Sequence, residues 1–180
     1  MNITLYGAAS DRIDHVYIKS VEKLGAAIAK EGHTLVFGGG ATGLMGAAAR
    51  GVHKEGGRIV GIVPRFMEDF EPVFPHCTEL VYTDTMAQRK DEMEERADAF
   101  LIVPGGVGTF DEFFQILTLK TLKRHQKPII LYNIHAFWDN MLAVLGTDIF
   151  KRFISTSIFE SFSVCETEES IFELLNATQK

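Results

Sequence analysis

Six short runs of apolar and β-branched residues recur along the chain, most followed by a longer segment of helical period, and that alternation admits few folds. The runs cover residues 3–7, 34–37, 58–63, 79–82, 99–103 and 128–132. A strand–helix rhythm of this kind predicts a parallel sheet between two layers of helices. Between the first two runs, Tyr17, Val21, Leu24 and Ile28 repeat at steps of four, three and four, which puts them on one helical face. Gly32 then supplies a helix stop. No linker, repeat or low-complexity block interrupts the order, although Pro64, Pro72 and Pro75 mark an irregular excursion after the third run. One doubly wound α/β domain over residues 1–180 is expected, with helices on both faces of the sheet.

Composition removes several function classes. With 180 residues, 46% hydrophobic and 23% charged, the chain is globular rather than disordered. Eighteen basic against 24 acidic residues leave a net charge of −6, which repels a phosphate backbone, so nucleic acid is not an expected partner. Cys77 and Cys165 form no CxxC pair, and the six histidines show no HExxH spacing. Neither a disulfide framework nor a metal site is expected. No apolar run reaches the ~20 residues of a membrane span. Residues 1–10 lack the basic and apolar regions of a signal peptide, and a cytoplasmic location follows as an expectation.

Eight of the 16 glycines fall in two stretches, each after a predicted strand and before a predicted helix. The first, GGGATGLMG at 38–46, satisfies GxGxxG through Gly38, Gly40 and Gly43. A dinucleotide fingerprint, however, belongs to the first strand, with an acid at the end of the next. Here the loop follows the second strand, and the third ends in Val63, Pro64 and Arg65. No GxxxxGK[ST] occurs either. Two readings stay open for this loop, a ligand-binding turn or glycines that let a helix pack closely on a strand. The second stretch, PGGVGTFDE at 104–112, would expose successive N–H groups of Gly105, Gly106 and Gly108 beside the Thr109 hydroxyl, a seat for a phosphate dianion. Thr109-x-x-Glu112 also fits a capping box. Both loops fall at the carboxyl ends of strands, where open α/β sheets hold ligands.

Between the loops lies a highly charged helical segment, 84–98. Arg89 and Lys90 sit near its N-terminal end, where the helix dipole disfavours cations. They are either surface pairs, Lys90 with Glu94 and Arg89 with Glu92, each worth about 0.2–0.5 kcal/mol, or groups held there for a ligand. The helix expected from Thr109 carries Phe110, Phe113, Phe114, Ile116, Leu117, Leu119 and Leu122, more than one apolar stripe. Deep burial or a partner subunit would explain it. The basic run 120–127 before Pro128 fits a helix C-terminus.

Together, GGGATGLMG, Asp84-x-Met86-x-x-Arg89-Lys90 and PGGVGTFDE resemble the LOG family, the cytokinin riboside 5′-monophosphate phosphoribohydrolases, whose hallmark is PGGxGTxxE. The resemblance runs from about Ile3 to Trp138. It implies a modified Rossmann fold, a homodimer, and hydrolysis of the N-glycosidic bond of adenosine-type 5′-monophosphates, with no cofactor and no metal. Arg89 and Glu112 carry over as the catalytic pair, with Gly105, Gly106, Gly108 and Thr109 around the phosphate. Asp84 and Met86 match the segment near the base, Lys90 is counted with the substrate-binding residues, and Gly39, Gly40 and Thr42 complete the nucleotide pocket. Proteins of this kind have also been labelled lysine decarboxylases, but nothing in this sequence points to a pyridoxal phosphate site.

Two departures stand out. Where the family commonly has Gly-Ser-Ser after the first strand, this chain has Gly7, Ala8, Ala9 and Ser10, which shifts the hydroxyl to Ser10. Ala87 and Gln88 follow Met86, where a polar residue and Glu are frequent. A carboxylate at Glu112 would stabilise positive charge on the ribose and orient water, whereas Arg89 could contact phosphate, ribose or leaving base. Molybdenum cofactor carriers share the fold and glycine loops without hydrolysing their ligand. A carrier role, or a nucleosidase for other nucleoside monophosphates, is the alternative.

Overall fold

The computed structural model describes residues 1–154 and 156–178. Strands β1 (Asn2–Tyr6), β2 (Thr34–Phe37), β3 (Ile59–Pro64), β4 (Glu79–Thr83), β5 (Ala99–Ile102), β6 (Ile129–Tyr132) and β7 (Ser163–Cys165) form one sheet, ordered β4-β3-β2-β1-β5-β6-β7. Every pairing between them is parallel. The six expected runs all become strands, with ends shifted by at most one residue. The seventh, three residues long, was not foreseen. The expected domain span also takes in residues 155, 179 and 180, which lie outside the described residues.

Alternation along each strand divides the core. Ile3, Leu5, Leu35, Phe37, Leu101 and Ile130 face one way, towards α1 (His15–Lys30), α2 (Gly43–Lys54) and α6 (Glu168–Ala177). Val36, Ile62, Phe100, Ile102 and Leu131 face the other, towards α3 (Met86–Arg96), α4 (Val107–Thr121) and α5 (Asp139–Leu145). The sheet is therefore doubly wound, a Rossmann-like α/β fold. β1 and β5 are neighbours although α1 to α3 intervene between them, so the chain direction across the sheet reverses there and opens a crevice at their carboxyl ends.

Local sequence explains the helix ends. Gly32 (φ +73°) follows α1, donating to the Ala29 carbonyl while His33 donates to that of Ile28, each at 3.0 Å. This is the double bond of a Schellman stop. The apolar excess of α4 is largely covered by the chain itself. Phe113, Ile116 and Leu117 are buried on the sheet, while Phe110 and Phe114 join a cluster with Met141, Leu142, Ile158, Phe159 and Phe162. Of its apolar residues, Val107 at the first position of α4 (88% exposed) and Leu122 just past its end (64%) stand clearly in solvent. In the basic run, Lys120 donates to the Lys127 carbonyl (2.9 Å) and Lys127 to that of Glu94 (2.6 Å), contacts that tie down the turn before β6.

Helices α1 and α2 cross at glycines. A Cβ on Gly51 would lie 2.0 Å from the Glu22 carbonyl oxygen, and one on Gly25 would lie 2.1 Å from that of Ala48. Gly51→Ala must push the helices apart, at about 1–3 kcal/mol for overpacking. A chain of this size loses roughly 2–4 °C of Tm per kcal/mol, readable by thermal denaturation. An unchanged Tm would show that this close crossing is not needed.

Candidate active site

The loops after β1, β2 and β5 converge at the carboxyl edge of the sheet. Between them lies a cleft of about 330 Å³, with Ser10, Met67, Glu71, Arg89, Thr109 and Glu112 among its lining. The backbone of Gly7, Ala8, Gly106 and Gly108 completes it.

Arg89 is the fourth residue of α3 and only 7% exposed. Its placement begins with a capping box. Gln88 N–H donates to Thr85 Oγ1 (3.1 Å), and Gln88 Oε1 accepts from the N–H groups of Asp84 (2.9 Å) and Thr85 (3.3 Å). Gln88, where the family often has Glu, thus keeps the cap. The guanidinium lies 4.0 Å (Nη2) from Glu112 Oε1 and 3.9 Å (Nη1) from Met86 Sδ. Its Nε is buried and has no partner among the described residues. A Cβ on Gly38 would fall 1.9 Å from Nη2, so this loop glycine must stay bare for the arginine to fit. The surface pairs considered for this helix do not form. Arg89 faces Glu112, Lys90 holds Asp111 at 3.0 Å, Glu92 binds Arg96 at 2.5 Å, and Glu94 accepts from Gln115.

Glu112 is the other half of the site. Its side chain is 11% exposed, and burial pushes its carboxyl up to about 7, with Arg89 pulling back and Asp111 adding to the rise. Near neutrality it is poised between its two protonation states.

The second glycine loop differs from the capping-box expectation. Gly106, in an extended conformation, is the N-cap, so α4 starts at Val107 and Thr109 becomes its third residue, with no side-chain cap bond. The N–H groups of Val107, Gly108 and Thr109 belong to the first turn and have no carbonyl of the helix behind them. A Cβ added at Gly106 or Gly108 would meet open space, whereas one on Gly105 would strike Thr109 Oγ1 at 2.1 Å. Two glycines therefore border the cleft, and the third makes room for the threonine.

The first loop is mostly occupied by the protein itself. The N–H groups of Leu44 and Met45, at the start of α2, point to the Ala8 carbonyl at 2.8 and 3.4 Å. Thr42 Oγ1 lies 2.7 Å from the Ala9 carbonyl oxygen and 3.1 Å from Glu71 Oε1. Gly39 and Gly40 border a small crevice beside the cleft, shared with Arg89 and Glu71.

Of the residues singled out in sequence, the structure gathers Ser10, Arg89, Gly106, Gly108, Thr109 and Glu112 around one cleft, with Met86 beside the arginine. Asp84 is not among them. It is exposed and lies 3.8 Å from Arg65, over an acidic surface groove. Lys90 is also outside the lining, held by Asp111. Glu71 and Met67 line the cleft without any motif to announce them, and Met45, inside the first glycine stretch, lines it too. The one signal was the proline-marked excursion after β3, which carries both Met67 and Glu71. Among the described residues no lysine lines the cleft, and so none of them offers an amine there for a pyridoxal phosphate Schiff base.

The chain also matches known proteins. A family model described as possible lysine decarboxylase matches residues 45–175. A Mycobacterium tuberculosis protein named cytokinin riboside 5′-monophosphate phosphoribohydrolase is 37% identical over 164 residues, 91% of this chain and 87% of that one. A rice protein named a probable enzyme of the same kind is also 37% identical, over 77% of this chain and 56% of its own length. The molybdenum cofactor carrier protein of Chlamydomonas reinhardtii shares the fold, with a TM-score of 0.74 and 19% identity over 99% of this chain and 98% of that one. On a cleft built from Arg89, Glu112 and the glycine-rich start of α4, and on these matches, the chain belongs to the family described as possible lysine decarboxylase, which includes the cytokinin riboside 5′-monophosphate phosphoribohydrolases.

Proposed function

We propose that this cleft hydrolyses the N-glycosidic bond of adenosine-type nucleoside 5′-monophosphates, including N6-substituted ones, to free base and ribose 5-phosphate. The observation that carries the reading is the buried Arg89–Glu112 pair beside an open helix start. A 5′-phosphate dianion suits the N–H groups of Val107, Gly108 and Thr109, where the dipole of α4 favours negative charge. Glu112 lies one turn further along the same helix, about 4.5 Å of axial rise from Thr109. The ribose of a seated nucleotide therefore comes to rest beside its carboxylate.

As the C1′–N bond lengthens, positive charge grows on the ring and the ionised carboxylate stabilises it. Water then bonds to C1′, giving one proton to Glu112, and the base departs with the bond's electron pair and takes up a proton. A carboxyl balanced near 7 suits both accepting and returning that proton. Arg89 keeps Glu112 partly ionised despite burial, and its Nε and remaining N–H groups are left for phosphate or base. A molybdenum cofactor carrier would not need a carboxylate buried against the cation.

The homodimer and the cytoplasmic location belong to this proposal too. Exposed Leu122, Val144, Ile149 and Phe153 support self-association, and no helix among the described residues is long and apolar enough to cross a membrane. Sedimentation should return twice the chain mass. A single-chain mass would remove the dimer and leave the cleft chemistry standing.

For the chemistry, Glu112→Gln should bind AMP within a few-fold of wild type while turnover falls by about 10²–10⁴. Arg89→Ala should lose both binding and turnover. Release of free base followed by chromatography checks both, and near wild-type turnover in Glu112→Gln would contradict its role. The pH profile has a definite sign. Glu112 must be ionised at the start of the reaction, so kcat/KM should fall about tenfold per unit as pH drops below ~7. An acid limb near 4.5, where an ordinary exposed glutamate titrates, would assign the limb to some other group.

A further inference from the structure

A second cavity, of about 300 Å³, adjoins the main cleft where the β1 and β5 loops meet. Ala8 lines both spaces, and Gly105 lines this one while its neighbour Gly106 lines the other. The walls are apolar, from Leu44, Pro104, Phe137 and the ring of Tyr17. An unusual turn sets Phe137 in place. His135 and Ala136 hold φ of +49° and +58°, a left-handed pair that is unfavourable for residues with a Cβ. Asn133 fixes the turn, donating to Asp139 Oδ1 and accepting from Trp138 N–H, each at 2.8 Å. Trp138 is thereby fully buried, and His135 and Phe137 come edge-on to Tyr17, with ring centroids 5.7 and 6.2 Å away. Backbone strain of this kind recurs at ligand clamps.

Two side chains of opposite charge line the same cavity, and the fold uses neither. Asp14 occupies the N-cap position of α1, where a carboxylate ordinarily accepts from the first turn, yet it makes no cap bond. Arg12 stands two residues earlier, and both are exposed. Among the described residues neither side chain has a hydrogen-bond or ion-pair partner, and the two do not pair with each other. A cavity with apolar walls and a few polar groups at one side is the usual form of a small-molecule site.

The two charges restrict what can fill it. A purely anionic ligand would meet Asp14 as a like charge, and a purely cationic one would meet Arg12. A zwitterion with an apolar tail satisfies both charges and the walls together. We propose that this cavity binds a free α-amino acid with a large apolar side chain, Arg12 taking the carboxylate, Asp14 the ammonium, and Tyr17 and Phe137 the side chain. The site is independent of the nucleotide chemistry in the neighbouring cleft.

The test measures binding of L-phenylalanine, of 3-phenylpropionate, which lacks the ammonium, and of phenethylamine, which lacks the carboxylate, by calorimetry. Trp138, the single tryptophan of the chain, packs edge-on against Phe137 at 4.9 Å, so its emission gives a second readout from the cavity wall. Hydrogen bonds to charged groups predict that L-phenylalanine binds at least ~10-fold more tightly than either analogue. Arg12→Gln should bring it to within ~3-fold of phenethylamine, and Asp14→Asn to within ~3-fold of 3-phenylpropionate. Because neither side chain is bonded within the fold, both variants should melt as wild type does. Neither heat nor an emission change from L-phenylalanine at up to ~10 mM overturns the proposal. So does an affinity unchanged in both variants, which places the amino acid elsewhere, or equal binding of 3-phenylpropionate, which makes the cavity a site for simple acids.

Discussion

A guanidinium held out of water is the constraint on which the cleft depends. Arg89 is 7% exposed and lies near the N-terminal end of α3, where the helix dipole opposes its charge. Removing a cation from water costs several kcal/mol unless partners replace the solvent. Glu112 at 4.0 Å is the ion-pair partner, and the Met86 sulfur and bare Gly38 complete the enclosure. The same enclosure desolvates Glu112 and lifts its carboxyl to about 7. One packing arrangement thus produces both a cation with an unused donor and an acid that titrates near neutrality.

The two glycine loops look alike in sequence and do different work. In the first, Gly38 gives way to Arg89 and Gly40 to Glu71, while the start of α2 donates to the Ala8 carbonyl. Its glycines serve close packing, and through that packing they place two charged side chains. In the second, Gly106 and Gly108 have open space where a side chain would be, at a helix start that borders the cleft. A chain of net charge −6 can therefore offer an anion one local seat without a basic surface.

The sheet was legible because buried parallel strands read as continuous apolar runs, and six such runs stand in the sequence. β7 escaped notice because three residues, Ser163–Cys165, with only Cys165 buried, make no pattern. Arg89 was legible from its conflict with the helix dipole, and Glu112 from its place in PGGxGTxxE. What the sequence could not supply was direction. Asp84 and Lys90 belong to the same motif as Arg89, yet they turn to Arg65 and Asp111 on the surface. Thr109 suggested a cap until Gly106 took that position. Glu71 had no motif, only its place on the proline-marked excursion, and the pairing of that segment with the first glycine loop at Gly40 and Val73 is what brings it to the cleft. The apolar excess of α4 pointed equally to a partner subunit and to deep burial, and the chain's own Phe159 and Phe162 cover much of it.

Anchoring of the substrate phosphate at the start of α4, next to Glu112, is the central claim, and kcat/KM for AMP against adenosine measures it most directly. The two compounds differ only in the group that α4 would hold. Binding energy from that remote group orients the sugar at Glu112, so AMP should be cleaved at least ~10³-fold more efficiently than adenosine, with the difference visible in kcat as well as KM. Adenosine cleaved as well as AMP, or no base released from AMP at all, would contradict it.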